Sequence, residues 1–116
     1  TADYGIPVKT DECINIAKRF IASKMKDPGS AQFSSVKCVK GWQTAAPIQR
    51  IAGVPPITFG YWFTGELNAK NSFGAYTGFS PFRGIVRNDG SGPGVVRYCI
   101  VSSTSKYGIC YPRIVN

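Results

Sequence analysis

The sequence predicts an α+β fold: one N-terminal helix packed on an antiparallel sheet of about five strands, tied by two disulfides. Three observations predict it. One stretch with a helical apolar period lies near the start, between Cys13 and Ile21. Beyond it the pattern changes to short runs separated by Gly, Pro, Asn and Asp clusters, the signature of strands and turns. Four cysteines, an even number, occur in 116 residues.

Residues 1–9 hold Gly5 and Pro7 and read as an irregular arm. Thr10 is a natural helix N-cap, and Asp11 and Glu12 place negative charge in the first turn. Cys13, Ile14, Ala17, Phe20 and Ile21 share one face. Lys18, Arg19, Lys24 and Lys26 cover the rest and load the C-terminal end with cations, before Asp27-Pro28-Gly29-Ser30 stops the helix. Phe33 to Lys40 reads as a strand with Val36 and Cys38 on one face and Phe33, Lys37 and Val39 on the other. Residues 41–56 contain Pro47, Pro55 and Pro56 and read as a long loop, a length that usually marks function or mobility.

Ile57 to Ala69 alternates longest. Phe59, Tyr61, Phe63, Leu67 and Ala69 share one parity, and Trp62, Thr64, Glu66 and Asn68 the other. A corner follows from Asn68 to Ser80. Phe82 to Arg87 is the next strand, residues 88–94 a turn, and Val95 to Ser103 another strand. Tyr107 to Val115 is the last, and its Pro112 suits an edge. There is no repeat, and residues 1–116 read as one domain.

The totals restrict function. Apolar residues make up 43% and charged residues 17%, a balance of folded globules. The net charge of +8, spread along the chain, would attract polyanions. No apolar run is long enough to span a bilayer. The first residues lack the basic start and apolar core of a signal peptide, as would the mature chain of an exported protein.

No cysteine lies in a Cys-x-x-Cys pair and there is no His, so two disulfides in an oxidising compartment read better than zinc. A helix rising ~1.5 Å per residue from Cys13 covers about 20 Å by Lys26. A strand returning at ~3.3 Å per residue brings Cys38 back beside it. Cys99 and Cys110 sit symmetrically about Thr104-Ser105, where a hairpin would place them opposite each other. The predicted pairs are Cys13–Cys38 and Cys99–Cys110, out of three possible pairings.

The lack of His removes the usual general base, the commonest metal ligand and every Ser-His or Cys-His nucleophile pair. Of six carboxylates, Asp11 and Glu12 belong to the helix start, Asp27 to the helix stop and Asp89 to a turn. Glu66 stands mid-strand with no evident partner for a two-carboxylate mechanism, and reads as a surface residue paired with a Lys or Arg. Ser-Lys chemistry stays open. The glycine-rich stretch 90–94 lacks the Lys-Ser/Thr ending of a phosphate loop. No catalytic residue, metal ligand or cofactor is expected.

Binding residues are easier to nominate. Lys70, Phe73, Tyr76, Phe79, Phe82 and Arg83 alternate aromatics with cations beside Asn68 and Asn71. Stacking beside a basic groove holds single strands, and aromatics with amides hold sugars. Packing competes with this reading: Phe73, Phe79 and Phe82 could plug the sheet end, Gly74 and Gly78 take positive φ, and the asparagines cap turns. Lys70, Asn71, Tyr76 and Arg83 remain as candidate contacts, with Trp42 and Arg50 in the long loop.

Residues 26–33 (KDPGSAQF) and 67–79 (LNAKNSFGAYTGF) resemble small exported bacterial proteins and lipoproteins with a DPxSAxF turn and a VNAKNSFGGYTG corner. The resemblance implies an N-terminal helix and an envelope or secreted location. It transfers no catalytic residue. Ala75 stands where a second glycine is usual, and Glu66 where Cys-Gly-x-Val would begin, so the cysteines here must pair differently.

The expectation is a secreted or periplasmic, non-enzymatic binding protein with a basic, aromatic surface for an envelope polyanion, a glycan or a protein partner. Nucleic acid ranks below these. The alternative is an inhibitor or immunity-like protein that blocks one partner through residues 42–56.

Overall fold

The computed structural model describes residues 3–44, 53, 57–101 and 113–114. Helix α1 (Thr10–Ser23) leads through a single 3-10 turn (Pro28–Ser30) into an antiparallel meander. Its strands are β1 (Gln32–Thr44), β2 (Ile57–Asn68), β3 (Ser80–Asn88), β4 (Pro93–Ile100) and the two-residue β5 (Arg113–Ile114), paired in chain order.

The apolar period places Cys13, Ala17 and Ile21 one above another, and all three are fully buried against the sheet. Asp11 and Glu12 lie in the first turn as expected. Thr10 is not the cap: it is the first helical residue, and Lys9 holds the cap position without a side-chain cap bond. The helix also stops before Asp27-Pro28. Lys24 is its C-cap, and the Lys24 and Met25 amides donate to the Ile21 and Ala22 carbonyls. Lys24 and Lys26 therefore lie past the last turn rather than in it. Cys13 and Cys38 form the predicted disulfide. Cys110 and the 102–112 stretch fall outside the described residues, so the Cys99–Cys110 pairing does too.

The facing expected for β1 is corrected. Phe33 pairs with Leu67 and Cys38 with Phe63, so residues 34–37 on β1, four in number, stand against three, 64–66, on β2. The extra residue is a β-bulge at Ser34–Lys37, where Ser35 takes φ 56°. A one-residue insertion reverses facing. Phe33 thus turns inward with Cys38 and meets Phe82 edge-on at 5.9 Å. The strand also runs longer than expected: residues 41–44, assigned to the long loop, belong to β1. Residues 45–52 and 54–56 lie outside the described residues.

On β2 the predicted parity holds, with Phe63 and Leu67 buried on the helix side. Two glycines meet aromatics across the β2–β3 ladder: Gly84 of β3 opposite Phe63 and Gly65 of β2 opposite Phe82. A Cβ on Gly84 would come within 2.5 Å of Phe63 Cζ, and one on Gly65 within 2.7 Å of Phe82 Cζ. The missing side chains give the rings their space. The far face is closed at its centre, where paired Ile85 and Arg97 are both buried. Arg97 reaches Thr58 Oγ1 at 3.3 Å, and its burial lowers the guanidinium pKa.

The 88–94 turn forms as expected, with Asn88 Oδ1 accepting from the Gly90 and Gly92 amides. The N-terminal arm is irregular but docked. The Ile6 amide donates to the Asn88 carbonyl, and Arg87 bonds the carbonyls of Asp3 and Phe59 and the carboxylates of Asp3 and Asp89. The Gly5 amide, then the Arg87 charge, hold the Asp3 carboxyl below its ordinary pKa.

Candidate functional site

The corner is built by its asparagines. Asn71 Oδ1 accepts from the Phe73 and Ala75 amides at 2.9 and 3.2 Å, and Asn68 Oδ1 from the Gly78 amide at 3.2 Å. The Asn71 carbonyl accepts from the Gly74 amide, and the Asn71 amide donates to Ala75. Gly74 and Gly78 take positive φ, as the turn reading expects. Lys70 and Tyr76 close the base of this small hairpin as a β-bridge, and Lys70 Nζ stands 5.7 Å from the Tyr76 ring.

The corner is anchored on the 3-10 turn that follows α1. Ser30 Oγ accepts from the Lys70 amide at 2.9 Å, and the Tyr76 hydroxyl donates to the Ser30 carbonyl at 3.0 Å. That link brings the end of the helix beside the corner and opens a cleft of about 310 Å³ between them. Its floor includes Met25, Leu67 and Ala69, and three cations stand around it: Lys24, Lys26 and Lys70. The lining contains no carboxylate. Lys24 is held over two rings, 4.8 Å from Phe20 and 5.7 Å from Tyr98. The polar wall is Asn71, Thr77, Gly78 and Ser80.

The other predicted contacts go elsewhere. Arg83 lies on the far face of the sheet, in one row with Lys37 and Thr64, beside a depression of about 370 Å³ that also includes Ser35 and Glu66. Lys70 and Arg83 therefore do not converge. Glu66 is exposed and makes no ion pair among the described residues. Trp42 is 60% exposed on β1, with Val39 and Trp62 around a shallow 180 Å³ hollow. Arg50 lies outside the described residues. The idea that three phenylalanines plug the sheet end holds for Phe82 alone, because Phe73 is 92% and Phe79 51% exposed.

Comparison with protein-family models, with curated proteins and with solved structures finds no match to this chain. Lys24 and Lys26 are the members of the cleft that the sequence did not nominate. Both read as ordinary charges at a helix end, and the Ser30 anchor, 40 positions from Lys70, ties the segment that follows them to the corner. Three lysines lining a cleft with apolar residues, together with amide and hydroxyl groups, can hold an anion and cover an apolar portion beside it. Among the described residues no group of three His, Cys, Asp or Glu could hold a metal ion.

Proposed function

We propose that this chain is an exported, non-enzymatic binding protein that engages an anionic ligand of the cell envelope through the cleft between α1 and the corner. One observation carries the reading: Lys24, Lys26 and Lys70 share a cleft whose lining has no carboxylate. The far-face depression is a weaker candidate, because Glu66 stands beside its cations and opposes an anion. The chain has no His, and the two carboxylates that come near each other, Asp3 and Asp89, are both ion-paired to Arg87, which leaves general acid-base chemistry without an obvious pair.

Export is supported by the Cys13–Cys38 bond. The same reading keeps Cys99–Cys110 as a second disulfide. It is also supported by the resemblance of residues 26–33 and 67–79 to small exported bacterial proteins.

Binding of heparin, as a soluble anionic glycan, tests the cleft. Affinity should fall steeply between about 10 mM salt, where the Debye length is ~30 Å, and about 150 mM, where it is ~8 Å. Combined Lys24→Glu, Lys26→Glu and Lys70→Glu should weaken it by at least about tenfold at low salt, since each removed cation is worth roughly 0.5–1 kcal/mol near a polyanion. Equal weakening by reversal of three lysines outside the cleft would reject the site.

A second reading, inhibition of one protein partner, is favoured by Trp42, which with Val39 offers apolar surface on the edge strand β1. A single tight protein partner that ignores the three cleft lysines would favour it.

A further inference from the structure

We propose that the cleft and the corner together dock on an anionic lipid surface, with Phe73 entering the acyl boundary while Lys24, Lys26 and Lys70 meet the headgroups. This deepens the reading above and rests on it. Single exposed apolar residues need no explanation. Here three large aromatics stand exposed within seven residues: Phe73, Tyr76 and Phe79. The turn explains Asn71 and Gly74, whose amide, carbonyl and φ build it, but it places no demand on the side chain at position 73.

The placement suits an interface. Phe73 lies at the tip of the hairpin closed by Lys70 and Tyr76, three residues from each, so its Cα is within about 11 Å of both. Phe79 directly follows Gly78, which lines the cleft. Exposed aromatic residues close in the chain to lysines are the elements of interfacial binding. Lysine stems span the apolar layer while their ammonium groups remain at the headgroups. A purely hydrophilic polyanion would use the lysines and leave Phe73 and Phe79 without a role. A net charge of +8 adds attraction towards any anionic leaflet.

Co-sedimentation with vesicles of phosphatidylcholine, alone or mixed with phosphatidylglycerol, tests this, with heparin binding measured in parallel. The protein should bind the mixed vesicles and not the neutral ones. Phe73→Ser, a change at a fully displayed side chain, should weaken vesicle binding by about tenfold or more and leave heparin affinity unchanged. The triple lysine reversal should weaken both, by about fivefold per lysine on vesicles. Heparin binding without vesicle binding overturns the lipid proposal and leaves the cleft intact. Vesicle affinity unmoved by Phe73→Ser also overturns it. Complete displacement of the vesicles by soluble glycerol 3-phosphate would show that the headgroup phosphate alone is bound, and overturns the surface claim. Loss of neither activity in the triple variant overturns the cleft itself.

Discussion

Converting Cys13 and Cys38 together to alanine should lower the unfolding free energy by about 3.5 kcal/mol, the chain entropy released when a 25-residue closure is opened. The bond joins the first turn of α1 to the middle of β1, and both cysteines are buried. The helix otherwise holds to the sheet through the buried stripe Ala17 and Ile21, flanked by the partly buried Ile14, Ile16 and Phe20, the last edge-on against Tyr98. Losing the bond therefore removes a covalent anchor from a helix with only three fully buried side chains among its 14 residues, one of them Cys13 itself. Urea denaturation of the double variant reads the cost directly. A loss below about 1 kcal/mol would show that packing alone fixes the helix. Because such bonds last in oxidising compartments, a large loss also ties the stability of the fold to the redox state around it.

Gly84→Ala should cost about 3 kcal/mol, the upper part of the range for overpacking a filled core. The new methyl group would stand 2.5 Å from Phe63 Cζ and would also press on the Arg97 carbonyl of the neighbouring strand. Phe63 is fully buried and leans on Phe82 at 6.0 Å, so neither ring has free space to retreat into. Gly94→Ala is the control, since nothing lies within 4 Å of its new Cβ. It should stay within about 0.5 kcal/mol of the parent. Equal stability of the two variants in thermal or chemical denaturation would contradict the packing described for β3.

How much of this could be read from the chain depends on the length scale of each determinant. The helix was legible because Cys13, Ala17 and Ile21 carry the period themselves. The Cys13–Cys38 bond was legible because rise per residue fixes where a returning strand can reach. The facing of Phe33 was not. Its inversion depends on one bulge at Ser34–Lys37, and two serines give no glycine or proline signal for it. The end of β1 was missed because Gly41, Trp42, Gln43 and Thr44 have no apolar alternation, although they pair with residues 57–60.

The corner divides in the same way. Asn68, Asn71, Gly74 and Gly78 were legible as turn residues, since each acts within ten positions of itself. Residue type misled for Phe73 and Phe79, because apolarity suggests burial and only the fold shows that no core lies within their reach. Lys70 and Arg83, near each other in sequence, line different depressions, a separation that residue type does not encode. Lys24 and Lys26 join Lys70 through Ser30, a contact across 40 positions that no local pattern encodes.

The central claim is that the cleft between α1 and the corner is the contact surface, and amide NMR shift mapping during titration with a short heparin fragment tests it most directly. The account predicts saturable shifts concentrated at residues 24–26, 67–71 and 77–80. Shifts centred on Lys37, Thr64 and Arg83, or spread evenly over the basic surface, would contradict it.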